Sequence, residues 1–349
     1  MSMNRRSATA LAATICVVVL LAVIVFVPVP FVSWSPGTPQ NALGTTNGAP
    51  VVAVDGKDGG QGSGQLLMVP VSVTKPSASL NFPQVLASYL AAHRDVLPRD
   101  WVYPVGQSVE ELEQNRVAGL DTAKQNATVS ALKVAGIDVR QNPVVRSVSS
   151  GGPSYRVLNV GDIIETVDGT SVQTAAEVGE IISRLTVGDA VQFTIVRQGA
   201  PMDVTVTTQA SASSRDVPRV GITLDQGYRY APQLTFTVDP GVQDESAGLM
   251  LALAVYSRAG NQDLTSGRII AGTGTIESTG AVGVTSGIDE KMYAAEQRGA
   301  KVFLVPASNC SEARRVSTHM TIVKVNKLDD AVSSLRSLST NPSALVPSC

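Results

Sequence analysis

From Ala8 to Val27 the chain runs 20 residues without a charge, and Thr9 and Thr14 are its polar members. At about 1.5 Å of rise per residue, a helix of this length covers roughly the 30 Å hydrocarbon layer of a bilayer. Arg5 and Arg6 precede the run and no basic cluster follows it closely. Cytoplasmic flanks are enriched in Lys and Arg, so the N-terminus is expected in the cytoplasm and the chain beyond Phe31 outside it. The alternative is a cleaved signal peptide. Against it, the stretch exceeds the usual apolar length of about 7 to 15 residues, and Pro28 and Pro30 stand where a small-residue cleavage site would fall. Residues 1–32 therefore read as a cytoplasmic tip and a single-pass cell-membrane anchor, with the bulk extracytoplasmic.

The remainder is long enough for more than one domain at about 100 to 200 residues each. With 27 Lys and Arg against 29 Asp and Glu, the net charge is −2. No basic excess exists to hold a phosphate backbone, so a nucleic-acid partner is not expected. Hydrophobic residues make up 44% and charged ones 16%, which excludes general disorder. Aromatics are 4%, so aliphatic side chains must fill the cores. The mean hydropathy of +0.14 combines the anchor with a remainder of ordinary character. Cys16 lies in the apolar run, whereas Cys310 and Cys349 would both face an oxidising compartment. They could pair, or stand as two unrelated thiols.

Residues 33–64 are rich in Gly, Pro, Asn, Thr and Gln, and end in Gly59-Gly60-Gln61-Gly62-Ser63-Gly64. This reads as a linker with one short strand at Val51–Val54. Residues 65–130 read as an α+β connector, with a strand near Leu66–Val73 and amphipathic helices at Phe82–His93 and Val109–Leu132. Next come β-branched segments at Val144–Val148, Ile163–Val167, Val191–Val196 and Val204–Thr207, with one helix at Thr174–Leu185 and glycine turns between them.

Within this module, Leu158-Asn159-Val160-Gly161-Asp162-Ile163-Ile164-Glu165-Thr166-Val167-Asp168-Gly169 resembles the L-x-x-G-D-x-I-x-x-V-D-G signature of PDZ domains. Ala135-Gly136-Ile137 resembles their carboxylate-binding loop. The resemblance covers residues 131–209. It implies a groove in which a peptide C-terminus adds as an extra strand. The Gly161-Asp162 and Asp168-Gly169 pairs read as turns that hold the fold, leaving the loop as the candidate site.

A polar linker, Ser211–Pro218, leads to a last domain at 217–340. There Asp244-Glu245-Ser246-Ala247-Gly248 precedes an apolar helix, Ala247–Tyr256, placing Ser246 at a helix N-terminus where free N–H groups favour a developing oxyanion. The bland reading is an N-cap. Further on stand Thr273-Gly274-Thr275-Ile276, Gly287-Ile288-Asp289-Glu290-Lys291-Met292-Tyr293-Ala294-Ala295, and Gly299-Ala300-Lys301-Val302-Phe303-Leu304-Val305-Pro306. In this order the four motifs resemble the proteolytic domain of Lon proteases. With the anchor and module ahead of it, the chain resembles the PDZ-containing, membrane-bound Lon-like proteases of bacteria. The expected class is α+β: a transmembrane helix, a small β-rich PDZ-like domain and an α+β Lon-type domain.

The resemblance implies that Ser246 is a nucleophile, Lys291 its general base and Thr273 a supporting hydroxyl. A serine needs a base to attack, and a lysine amine can serve once burial lowers its pKa. His93 in the connector and His319 in a late loop do not suit a Ser-His triad. The acidic pair Asp244-Glu245 replaces the commoner G-P before the serine and resembles an archaeal D-S-A-S form; its charge opposes an oxyanion and favours the ammonium form of Lys291. No G-x-x-x-x-G-K-[ST] loop and no metal-ligand spacing occur, so neither ATP nor another cofactor nor a metal is expected. Expected partners are unfolded or loosely folded proteins and peptide C-termini at the PDZ groove, with a homo-oligomeric ring implied by the Lon resemblance. Two functions follow: an ATP-independent, membrane-anchored Ser-Lys endopeptidase, or an inactive Lon-like adaptor or sensor that binds C-termini.

Overall fold

The structure is a computed structural model that describes residues 5–56, 63–211, 214–242 and 244–349. It divides into two compact units, one formed by the chain up to Ala135 together with Pro232–Cys349, the other by Gly136–Ala231.

The first unit begins with helix α1, Arg5–Phe26. Its Thr9–Phe26 window has a mean hydropathy of 2.9 and is nowhere buried in the protein, so the helix is long and apolar enough to cross a membrane. Three further helices follow: α2 at Phe82–Leu90, α3 at Arg99–Val102 and α4 at Val109–Val134. Reciprocal capping boxes fix the starts of α2 (Asn81 with Gln84) and α4 (Ser108 with Glu111).

Residues 33–64, expected as a linker, are instead built into this unit. Strand Phe31–Pro36 pairs with Asp95–Pro98 and Val71–Val73, and Val52–Val54 pairs with Leu234–Phe236. Gln40–Asn41 pairs antiparallel with Gln65–Met68, and the Asn41 side chain accepts hydrogen bonds from the N–H groups of Leu43 and Leu66. Ala42, Val51, Val52 and Val54 are buried. Polar turn residues here cap strand ends, which gives the segment a tether-like composition. The expected glycine-rich run lies outside the described residues from Gly59 to Gly62.

The connector at 65–130 is corrected in the same way. Gln65–Met68 pairs parallel with Ile269–Gly272, which pairs parallel with Val302–Pro306, followed by Thr321–Val325. With Gln40–Asn41 these make one five-stranded sheet. A strand from the first quarter of the chain therefore completes the sheet of the last third. α4 packs on α6, the helix at Gly248–Gly260.

The second unit holds α5, Ala175–Ser183, and an antiparallel sheet in the order Ala200–Thr207, Ala190–Arg197, Ile163–Val167, Val139–Val148, Ile222–Tyr230. The last domain was expected from residue 217. Yet Ile222–Tyr230 pairs with Val139–Val148 along its length, from Val148↔Ile222 to Val139↔Tyr230, and so belongs here. The core gathers Leu158, Ile164, Val167, Val178, Ile182, Val191, Phe193 and Ile195. Asp162 of the signature is buried, accepts from the Asn159 N–H at 2.7 Å and pairs with Arg197 through two hydrogen bonds at 2.8 and 2.7 Å. Asp168 and Gly169, with φ of 47° and 75°, make the tight turn into Thr170–Ser171.

The chain returns to the first unit for α6, α7 (Ile288–Gln297), α8 (Cys310–Ala313) and α9 (Leu328–Thr340). α6 is buried on all sides from Gly248 to Ser257, as an all-round apolar helix must be. Leu67, Ala271, Met292, Ala295, Phe303 and Val305 share its neighbouring core. Of the two arrangements left open for the cysteines, the bonded one is found: Cys310 and Cys349 form a disulfide, and Cys16 is free on α1.

The domain boundaries carry a test. A fragment of residues 217–340 lacks the interior strand Gln65–Met68 and helix α4, and is expected to show no cooperative thermal transition by circular dichroism, whereas residues 28–349 melt cooperatively. A cooperative, native-like melt of 217–340 would contradict the assignment.

Candidate active site

Ser246 sits in a single turn of 3-10 helix, Glu245–Ala247, that runs directly into α6. The Asp244 carboxylate caps this turn, accepting from the Ser246 N–H at 3.1 Å through Oδ1 and from the Ser246 hydroxyl at 2.9 Å through Oδ2. The peptide group of Ser246 is held from the other side by the Thr273-Gly274 pair. The Gly274 N–H donates to the Ser246 carbonyl at 2.9 Å, the Leu249 N–H donates to the Gly274 carbonyl at 3.0 Å, and the Thr273 hydroxyl reaches the Ser246 carbonyl at 3.4 Å. Gly274 has a φ of 145°, and a Cβ there would meet Val282 at 2.9 Å and Pro306 at 3.0 Å, so this close approach requires glycine. α4 closes the remaining flank: a Cβ on Gly119 would lie 2.3 Å from the Glu245 carboxylate.

Lys291 lies on the first turn of α7 and is fully buried. Its Nζ is 2.8 Å from Ser246 Oγ, 3.2 Å from Thr273 Oγ1 and 2.7 Å from Thr285 Oγ1. Three hydroxyls match the three donors of an ammonium, and each can turn to face a neutral amine as donor instead. The structure thus brings together Ser246, Lys291 and Thr273, the three residues named from sequence. It adds Thr285, which sequence reasoning missed. Thr285 is itself fixed by Asn309, whose side chain accepts from the Thr285 N–H at 3.0 Å and donates to the Thr285 carbonyl at 2.8 Å. Its signal in the sequence is faint: a hydroxyl in the turn just before the Gly287-Ile288 helix start.

Burial dominates the electrostatics. Desolvation lowers the pKa of Lys291, while the carboxylates of Asp244, Glu290 and Glu312 act to raise it, and burial wins. The Asp244 carboxylate, 3.6 Å from Nζ, is half exposed and so a weaker force than its proximity suggests. The adjacent Glu290 is buried, and among the described residues its carboxyl oxygens have no hydrogen-bond partner. Burial, with Asp95, Asp289 and Glu312 nearby, pushes its pKa up to about 7. His93 stacks on Tyr293 with ring centroids 4.1 Å apart and pairs with Asp289 at 3.0 Å, so it braces α7. His319 pairs with Glu296 at 3.1 Å.

A groove of about 760 Å³ opens beside the serine, lined by Trp34, Val71, Val73, Tyr103, Leu112 and Glu245 among others. Val71–Val73 is the edge of its three-stranded sheet, so the groove offers unpaired backbone beside apolar side chains.

The candidate peptide-binding loop, Ala135-Gly136-Ile137, needs correcting. Ala135 is the C-cap of α4 and Gly136, with a φ of 72°, ends that helix. The strand that follows, Val139–Val148, is interior to its sheet and flanked on both sides. Ala135, Gly136 and Ile137 therefore do not border an open strand edge. The strand at the sheet's edge is Ile222–Tyr230, it lies beside α5, and it is entered through Gly221 with a φ of 75°. The signal available was Val220-Gly221-Ile222, hidden because that stretch reads as the start of the next domain.

The family models for a PDZ domain and for the Lon protease (S16) C-terminal proteolytic domain match residues 106–208 and 241–336. No curated protein matches the chain. Among solved structures, the PDZ domain of the SdrC-like protein of Listeria monocytogenes is 27% identical over 24% of this chain and 86% of that one, with a TM-score of 0.22. Its counterpart from Listeria innocua is 25% identical over 24% and 92%, with a TM-score of 0.23. A solution structure from Geobacillus thermodenitrificans is 22% identical over 24% and 94%, with a TM-score of 0.22. The chain joins a PDZ domain to a Lon-type proteolytic domain, a pairing that supports a Lon-type serine protease with a PDZ module.

Proposed function

We propose that this protease is a membrane-anchored, ATP-independent endopeptidase that cuts extracytoplasmic polypeptides with Ser246 as nucleophile and Lys291 as general base. The observation that carries the reading is the 2.8 Å contact between a fully buried lysine amine and the serine hydroxyl. With Lys291 neutral, its lone pair takes the Ser246 proton as Oγ attacks the scissile carbonyl carbon. The ammonium returns that proton to the leaving amine, and the acyl group remains on Ser246. Water then attacks the ester, again with Lys291 as base, and the acid product leaves. Thr273 and Thr285 orient the amine through both protonation states.

Asp244 sets the resting state. It engages both the hydroxyl and the N–H of Ser246, so the serine proton points toward the carboxylate rather than the lysine. A substrate carbonyl entering at the helix N-terminus competes for that N–H and frees the hydroxyl to turn toward Nζ. Chains reach the site as extended segments in the apolar groove beside Val71–Val73. C-termini are captured in the PDZ module at the open edge of Ile222–Tyr230 beside α5, by strand addition. α1 holds the enzyme to the membrane with its N-terminus cytoplasmic.

The same Asp244 contacts favour a second reading, a silent adaptor that retains only peptide binding. The two part on turnover. In the full chain with an unfolded casein-like substrate, Ser246→Ala and Lys291→Gln are each expected to reduce cleavage by about a thousandfold or more, and the double variant no further, because residues acting as a unit are not additive. Unchanged melting temperatures would exclude unfolding as the cause. Cleavage indifferent to both substitutions would reject the enzyme reading. Thr285→Val is expected to cost about tenfold, by misplacing the amine.

The pH profile has a fixed sign. The base must be unprotonated, so cleavage rises with pH as Lys291 loses its proton, with a midpoint below the ordinary lysine value of 10.5. Asp244→Asn removes a charge that favours the ammonium, and so moves this rising limb to lower pH. A limb that stays in place, or moves to higher pH, would count against Lys291 as the titrating group.

A further inference from the structure

Outside α1, most large exposed apolar side chains stand singly, as on any soluble surface. One group does not. Phe82, Leu86, Tyr89 and Leu90 on α2, with Trp101 on α3 and Val105 after it, are between 44% and 83% exposed. The spacing 82, 86, 89, 90 puts the four α2 residues on one face, and the opposite side, at Ser88, is buried. None of the nine residues of α2 is charged. This is an unpartnered apolar face with an aromatic at each end.

Its position says what covers it. Val27 extends the last turn of α1, its N–H donating to the Val23 carbonyl, and strand Pro28–Val29 follows at once. That strand pairs with Leu80–Asn81, matching Pro28 to Asn81, and Phe82 is the next residue. The Arg99 N–H donates to the Pro30 carbonyl at 2.9 Å, two residues before Trp101. Paired strands lie about 4.8 Å apart and an extended residue spans about 3.3 Å, so α2 and α3 both start within about 20 Å of the point where α1 ends. Backbone pairing, with no intervening slack, ties the exposed face to the end of the apolar span.

We infer that α2 and Trp101 form a membrane-docking surface that lies in the headgroup boundary of the same bilayer α1 crosses. The inference rests on the reading of α1 as a membrane span. A charge-free apolar face flanked by Tyr and Trp has the composition of an interfacial element, aromatic rings favouring the boundary where one edge is apolar and the other wet. Docking also has a consequence for substrate. Val102 and Tyr103, directly after Trp101, line the groove beside Ser246. The surface therefore holds the groove at the membrane, within reach of polypeptide segments that emerge from the bilayer.

The chain has two tryptophans, which makes the test direct. In the full chain carrying Trp34→Phe, Trp101 is the sole indole. Reconstituted in vesicles of phosphatidylcholine and phosphatidylglycerol, its fluorescence is expected to fall by about half or more with lipids brominated near the headgroup, and less with lipids brominated deep in the acyl chain. Adding Leu86→Glu and Tyr89→Glu should remove the quenching while the protein still floats with the vesicles through α1. Flotation after an alkaline carbonate wash separates the two readings. A chain that fails to float overturns the anchor and the docking surface together; a chain that floats with Trp101 unquenched overturns docking alone. Crosslinking of a Tyr89→Cys variant to a second copy in vesicles would show that another subunit covers the face, and would also overturn it.

Discussion

The structure turns on the burial of one amine. Lys291 has no exposed surface, yet among the described residues its Nζ meets three hydroxyls and no carboxylate at hydrogen-bond distance. An ammonium withdrawn from water is costly even with a half-exposed carboxylate 3.6 Å away, so the group relaxes toward neutrality. The features around it follow from keeping that balance. Asp244 stands at 3.6 Å and half exposed, near enough to temper the shift and too solvated to cancel it. Glu290, next to Lys291 in sequence, is itself pushed toward its neutral acid and withholds much of the charge it would otherwise supply.

Holding four hydroxyl and amine groups in register needs elements from distant parts of the chain. Ser246 sits in the turn that runs into α6, Thr273 directly follows a parallel strand, and Thr285 and Lys291 flank the start of α7. The strand leading into Thr273, Ile269–Gly272, is braced on one side by Val302–Pro306 and on the other by Gln65–Met68, about 200 residues earlier in sequence. α4 then seals the serine turn through the contact of Gly119 with Glu245. The segments that read as linker and connector are thus structural parts of the catalytic unit, and the chain leaves that unit at Ala135 and re-enters it at Pro232.

What could be read from the sequence had a local signature. The 20-residue apolar run, the Leu158–Gly169 turn pattern and the four ordered motifs around Ser246, Thr273 and Lys291 each depend on neighbours within about a dozen residues. The parts that escaped depend on pairing across the chain. Gln40–Asn41 is a two-residue strand with no periodicity to see, and its role as the sheet's antiparallel edge exists only once Gln65–Met68 is in place. Ala135-Gly136-Ile137 has the chemistry of a binding loop but performs the job of a helix C-cap, and only sheet order distinguishes the two. Thr285 reaches Lys291 because Asn309, 24 residues away, fixes its backbone.

The central claim is that Lys291 is poised to act as a base. It can be measured without any substrate by following the pH titration of the lysine side chains in the full chain labelled with 13C-lysine, with Lys291→Gln to assign the resonance. One resonance, absent in that variant, is expected to titrate clearly below 10.5, and to shift lower still in Asp244→Asn. If instead every lysine titrates at the ordinary value, Lys291 remains an ammonium throughout the working range, and the account of Ser246 activation is wrong.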